Sequence, residues 1–200
     1  MHVVIVIAHP DKNSLNHGIL NRVLNVLQSR GCTNDVIDIN ADRFDPICTK
    51  ADILFAWKKG PSPDPMVIDY QDRIKKADYL IFLFPVWCWS LPAILKGFFD
   101  RIFSCGWAWE GNGFKIKGKL TDIKGSLIVA TFASPKFVNE LIYRNPMYTE
   151  MIKGGLKVFG IKKIKYIPIH SISGKESERP RIEKKINKIE SFLQNTKILN

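Results

Sequence analysis

The amino-acid order predicts a doubly wound α/β fold, one five-stranded parallel sheet covered by helices on both faces. Three observations carry that expectation. Short β-branched runs occur without alternating polar residues, amphipathic stretches of helical spacing separate them, and the strand–helix rhythm persists through all 200 residues. Strands buried on both faces read as continuous apolar runs, and regular alternation with helices argues for parallel pairing. A chain of this length needs no more than one domain, so a single unit over residues 1–200 is expected.

Residues 2–8 (HVVIVIA) form the first such run. Residues 15–30 follow with Leu20, Val23, Leu24 and Leu27 at helical spacing and Gly31 as a stop. A second strand is expected over 34–39. Residues 41–65 are irregular, interrupted by Pro46, Pro61, Pro63 and Pro65, with a short helix over 50–58. A helix over 66–77 leads to the buried strand 79–84 (YLIFLF). In the next helix, 92–103, Pro92 opens the first turn and Leu95, Phe98, Phe99, Ile102 and Phe103 make a wide apolar face. Strand 126–132, helix 145–159, strand 164–169 and helix 179–194 complete the chain. Right-handed crossovers leave few arrangements for five such strands, and the flavodoxin-like order 2-1-3-4-5 fits them.

Thirty Lys and Arg against 19 Asp and Glu give a net charge of +11, which favours anionic partners. The surplus gathers between residues 153 and 197, including Lys162, Lys165, Arg181 and Lys185, and reads as a solvated basic face. No nucleic-acid-binding motif is present and aromatic residues are not interleaved there, so no nucleic-acid partner is expected. Cys32, Cys48, Cys88 and Cys105, spaced by 16, 40 and 17, match neither zinc nor CxxC patterns, and no metal is expected. No secretory leader pattern opens the chain. The longest apolar run, 79–89, is too short to span a bilayer and is broken by Pro85. Reduced thiols and a cytoplasmic location are the simplest expectation.

In open α/β sheets ligands bind beyond the carboxyl ends of the strands, where strand order reverses. Three strand ends therefore matter. After the first come His9, Pro10, Asp11, Lys12, Asn13, Ser14, Leu15 and Asn16. Ser14 is placed to cap the following helix, and a helix start with free N–H groups beside a hydroxyl, an amide and a histidine suits a phosphate. The glycines of GxGxxG or GxxxxGK[ST] are missing. After the third strand come Pro85, Val86, Trp87, Cys88, Trp89, Ser90, Leu91 and Pro92, whose indoles offer flat apolar surface to a planar ring. A core plug beneath a loop is the competing reading. After the fourth come Thr131, Phe132, Ala133 and Ser134, a source of hydroxyls and N–H groups. A phosphorylated planar heterocycle fits all three ends, and a flavin nucleotide, FMN or FAD, is the natural candidate.

These residues carry a family resemblance. The chain resembles the NAD(P)H:quinone oxidoreductases of the DT-diaphorase type, a flavodoxin-like family that includes ancillary proteins of bacterial potassium efflux. The resemblance rests on Ala8-His9-Pro10 with Ser14-Leu15-Asn16, on Phe84-Pro85 through the 91–103 segment LPAILKGFFDRIF, and on Gly106-Trp107-Ala108-Trp109. It implies a homodimer, a tightly bound flavin (usually FAD, with FMN as the other form) and ping-pong two-electron reduction of quinones by NADH or NADPH. By the same resemblance His9, Ser14, Leu15 and Asn16 would hold the phosphates. Pro85, Val86, Trp87, Cys88 and Trp89 would line the ring system, and Thr131, Phe132, Ala133 and Ser134 would reach its pyrimidine edge.

The chain also departs from the pattern. Trp87-Cys88 stands where many members have Gln-Trp, and Phe132-Ala133-Ser134 where many have Thr-Gly-Gly. For the side chains that assist hydride transfer in the mammalian enzymes, Tyr143 is the nearest candidate. No Ser/His/Asp or Cys/His nucleophile set is evident, and hydride transfer needs none. The net charge argues against an acidic electron carrier and suits the phosphates of a dinucleotide. The rival reading is a regulatory subunit docking on a membrane transport protein.

Overall fold

Parallel pairing at the centre of the chain organises the molecule. The computed structural model describes residues 1–57, 62–112 and 115–199. In chain order the elements are β1 (His2–Ile7), α1 (Leu15–Ser29), β2 (Thr33–Asp38), α2 (Lys50–Trp57), α3 (Pro65–Lys75), β3 (Tyr79–Pro85), α4 (Ala93–Ile102), β4 (Trp109–Asn112), β5 (Lys115–Gly118) and β6 (Gly125–Thr131). Two π-helical segments, Val138–Ile142 and Tyr148–Leu156, precede β7 (Ile164–Ile169) and α5 (Arg179–Asn195). The main sheet runs β2-β1-β3-β6-β7 with every pair parallel, the order expected for five strands. Residue 58 and Pro61, within the expected short helix and proline-rich loop, lie outside the described residues.

All seven residues of β3 and all seven of β6 are buried. Successive side chains of a strand point to opposite faces, and two apolar cores result. Val4, Val6, Leu80, Phe82, Phe84 and Ile128 pack on one face with residues of α3, α4 and the second π-helical segment. Val3, Ile5, Ile7, Ile81, Leu83 and Val129 pack on the other with residues of α1 and α5. Among the described residues no helix is long and apolar enough to cross a membrane.

The structure departs from expectation in several places, the first π-helical segment among them. The antiparallel β4–β5 hairpin lies outside the main sheet. Its four-residue strands, with exposed lysines and Ile116, give no apolar run that could have announced it. The expected helix over 145–159 is a π-helical run over Tyr148–Leu156, with Met151, Ile152, Gly155 and Leu156 on its buried face. Apolar spacing does not separate i→i+4 from i→i+5 hydrogen bonding, and the poor α-helix former Gly occupies 154 and 155.

Two local constraints hold α4 in place. A Cβ on Gly97 would sit 2.1 Å from the Pro46 carbonyl oxygen, so only glycine permits this approach. Arg101, buried at 5% exposure, donates to Asp52 at 3.2 Å, to Asp64 at 2.8 Å and to the Asp45 carbonyl at 2.7 Å. It thereby ties α2 and α3 to α4. Burial alone would raise the Asp52 carboxyl, but the Thr49 N–H and hydroxyl and the Arg101 guanidinium outweigh it and hold the group below its ordinary value.

Gly97→Ala is expected to cost about 1–3 kcal/mol by overpacking, lowering Tm by roughly 2–4 °C per kcal/mol in a chain of this size; a melting curve checks it. Arg101→Met leaves the Asp52 carboxylate buried without its cation, a loss of about 3–5 kcal/mol at neutral pH. Because the native Asp52 value is depressed, its contribution is full above the ordinary carboxylate range and is lost as pH falls through the folded-state value. The gap between wild type and Arg101→Met therefore narrows in acid, as denaturant titrations at both pH values will measure.

Candidate active site

Register brings the three strand ends to one edge. Ile7 pairs with Leu83, and Pro85 with Thr131. The ladder continues past the strands, as the N–H of Ala8 donates to Leu83 O at 3.0 Å, that of Val86 to Thr131 O at 2.8 Å and that of Phe132 to Ile169 O at 2.8 Å. A cavity of about 370 Å³ opens there, lined by His9, Asp11, Ser14, Leu15, Asn16, Pro85, Val86, Trp87, Thr131, Phe132, Ala133 and Ile172. A neighbouring cavity of about 230 Å³ shares Val86, Phe132 and Ala133 and adds Cys88, Trp89 and Ser134. Every residue expected to contact the cofactor thus lines one cavity or the other. Asp11 and Ile172 are additions.

One end is polar. Ser14 caps α1, its Oγ accepting the His17 N–H at 3.4 Å, and the first turn carries no acidic residue. The Asp11 N–H donates to His9 Nδ1 at 3.0 Å. Asn16 is 2% exposed; its amide donates to the Thr131 hydroxyl at 3.1 Å, while Oδ1 is buried without a partner. Such an orphaned atom in a native site calls for a ligand or a functional explanation. Turning the amide over would let the Thr131 hydroxyl donate to Oδ1 and leave NH₂ in its place, so one polar atom of Asn16 lacks a partner in either orientation.

The other end is aromatic. Trp87 and Ser90 exchange backbone hydrogen bonds of 3.2 and 3.0 Å around Cys88 and Trp89, which have φ of 48° and 65°. Positive φ at both central positions is the type I′ geometry that asparagine and glycine favour, and non-glycine residues held there cluster at ligand sites. Trp87 is 47% exposed. Trp89 instead stacks on Tyr143, with centroids 4.0 Å apart and planes 21° from parallel, so Tyr143 does reach the aromatic end. The Ser90 hydroxyl donates to Glu150 at 2.6 Å, anchoring the turn to the second π-helical segment.

Behind the wall, Phe132 packs on His170 at 4.5 Å. Burial holds the His170 imidazole below its ordinary value, and both ring nitrogens are buried without partners. The 132–134 loop is braced by the Ile172 N–H on Phe132 O and the Ser171 N–H on Ser134 O, each 2.9 Å. Sequence reasoning passed over His17 and His170. Both are buried by elements distant in the chain, and only the spacing of His17 three residues after the capping Ser14 gave any signal.

A separate cavity of about 360 Å³, between α4 and the second π-helical segment, is lined by Phe99, Phe103, Trp109, Met151 and Phe159, with Lys96 and Glu150 among its polar residues. Among the described residues none of its lining holds an unpartnered buried polar atom. The strand-end cavity is therefore the better candidate.

A family profile described as a flavodoxin-like fold matches residues 1–193. The chain belongs to the flavodoxin-like family. Within it, NAD(P)H dehydrogenase (quinone) 1 of Cavia porcellus is 32% identical over 146 residues, 66% of this chain and 53% of the relative. Ribosyldihydronicotinamide dehydrogenase (quinone) of Pongo abelii is 35% identical over 144 residues, 64% of this chain and 62% of the relative. The matched stretches thus span little more than half the length of these curated relatives. Among solved structures, an NAD(P)H:quinone oxidoreductase from Methanothermobacter marburgensis superposes with a TM-score of 0.87 at 25% identity, covering 98% of each chain. Smu.1420 from Streptococcus mutans UA159 gives 0.83 at 28% identity, covering 98% of this chain and 100% of the other.

The aromatic turn makes its own prediction. Cys88→Gly removes the Cβ from a left-handed position and is expected to leave thermal stability unchanged within about 1 kcal/mol or to raise it. Cys88→Val, β-branched at positive φ, is expected to lower it; calorimetry of the pair tests the assignment.

Proposed function

We propose that this chain is a flavin-dependent NAD(P)H:quinone oxidoreductase. The observation that carries the reading is the paired strand-end cavities, with the capped start of α1 and the partly unsatisfied amide of Asn16 at one end and the Trp87–Ser90 turn at the other. Their combined size falls within the range of small-molecule and cofactor sites. The names of the relatives support the same chemistry. When bound, a flavin would supply two-electron hydride chemistry between NADH or NADPH and a quinone, in the ping-pong order that the family resemblance implies.

The chain's own groups have distinct tasks. Ser14, the first N–H groups of α1 and His9 would hold the phosphates, with the helix start favouring negative charge. Pro85, Val86, Trp87 and Phe132 would fix the plane of the ring and exclude water. Backbone N–H groups at 88–89 and 133–134, which the ladder and the turn do not engage, would stabilise charge that develops on the ring during reduction. Tyr143, held against Trp89, is the candidate to donate a hydrogen bond or proton to the reacting quinone. FAD is the form the family resemblance implies. A homodimer belongs to the same reading, and α2 leaves Ile53, Leu54 and Phe55 exposed.

The purified protein is expected to be yellow and to release FAD identifiable by mass, with FMN the other outcome that keeps the reading. It is expected to oxidise NAD(P)H with a quinone well above the rate of free flavin. Ser14→Ala with Asn16→Ala should weaken flavin retention on dialysis, and Tyr143→Phe should lower kcat by about 10²-fold. A colourless protein that binds neither flavin, or one with no quinone-dependent turnover, would refute the assignment and leave the docking-subunit reading.

A further inference from the structure

Beside the polar end of the cavity, Asp38, His17 and Ser14 form a hydrogen-bonded chain. His17 is 7% exposed. Its Nε2 lies 3.2 Å from Asp38 Oδ2 and its Nδ1 lies 3.0 Å from Ser14 Oγ. Lys12 bonds the same Asp38 oxygen, and the Ala41 N–H donates to Oδ1 at 3.0 Å. Burial alone would raise the Asp38 carboxyl, but the bonds from Lys12, Ala41 and His17 hold it below its ordinary value. Asp38 is then a carboxylate, which can only accept.

That fixes the roles along the chain. Nε2 must carry a hydrogen to meet Asp38, so in the neutral ring Nδ1 is an acceptor. Ser14 then donates its only hydrogen to Nδ1 while accepting the His17 N–H, and what it turns to the cavity is a lone pair. A protonated ring reverses this. Nδ1 becomes a donor, Ser14 Oγ accepts from both His17 groups, and its hydrogen is freed for the cavity. The first arrangement turns a lone pair toward an anion and the second a donor, so the second holds it more tightly. The adjoining Asn16 atom, buried and unpartnered in the same cavity, independently marks this end as built for a ligand.

We propose that Asp38 and His17 are positioning residues that set the direction of the Ser14 hydroxyl, so that the cavity takes up a tetrahedral oxyanion of the phosphate class together with one proton on His17. The proton comes from solvent, and no covalent bond changes. Among the described residues, the other charged or titratable groups that the structure records near His17 are Lys12, on the shared Asp38 oxygen, and His9, whose ring centre is 6.4 Å away. Asp11 lines the cavity itself, with its carboxylate accepting the Asn13 N–H at 2.8 Å. The inference rests on the proposed function only for the identity of the molecule that carries the phosphate.

The test uses flavin-depleted protein at about pH 5.5 and about pH 8, either side of the ordinary histidine range. The probes are FAD and inorganic sulfate, whose charges stay constant over that interval, with phosphate-free riboflavin as control. Ring-nitrogen NMR follows His17 directly. FAD and sulfate are expected to bind several-fold more tightly at the lower pH, with His17 Nδ1 gaining its proton on binding. Riboflavin should show no such dependence. His17→Gln should bind FAD with markedly less pH dependence than the wild type. Sulfate that shifts His17 while FAD fails to bind would support the relay and refute the flavin reading. FAD that binds equally at both pH values, with unchanged His17 signals, would overturn the relay and leave the flavin reading intact. Wild-type pH dependence in His17→Gln, or a cavity that binds neither anion, would also overturn the relay.

Discussion

The in-register parallel pairing of β3 with β1 and β6 is the constraint on which the rest depends. β3 is buried along its whole length, and a slip of one residue would turn its two sets of apolar side chains to the wrong cores. Because Ile7, Leu83, Pro85 and Thr131 are locked by that register, three loops with no sequence relation leave the sheet at the same height. The cavity is the space between them. The Asn16–Thr131 hydrogen bond, bridging 115 positions of sequence, then fastens the start of α1 to the end of β6.

The two ends of that space are organised by different physics. At the polar end a helix start supplies aligned N–H groups, and no carboxylate in the first turn opposes an anion. At the aromatic end two consecutive residues accept left-handed backbone conformations, and the resulting turn exposes Trp87 while seating Trp89 on Tyr143. A nucleotide with a flat redox ring needs both: a charged seat and a flat, dry wall.

Much of this was legible in the chain. The buried strands announce themselves as unbroken apolar runs, Ser14 as a cap, and the 91–103 helix by its broad apolar face, so the sheet order and most of the cavity-lining residues could be expected from the sequence, Ile172 excepted. What escaped notice depends on distant pairing. His17 and Asp38 are 21 positions apart and meet only because β1 and β2 lie side by side. His170 is buried against Phe132 by the neighbouring strand. The β4–β5 hairpin is short and polar, and the π-helical run has the apolar spacing of an ordinary helix. For the two histidines the local pattern carries no trace of the partner that buries them.

The Arg101 knot has a consequence beyond stability. By clamping Asp52 of α2 and Asp64 at the start of α3 to a single guanidinium, it fastens the short α2 helix to the body of the protein, even though Ile53, Leu54 and Phe55 project outward from it. Exposed apolar side chains on so short a helix would ordinarily forfeit much conformational freedom on being covered. Here the helix is ordered by folding itself, so covering those side chains would cost little further backbone entropy.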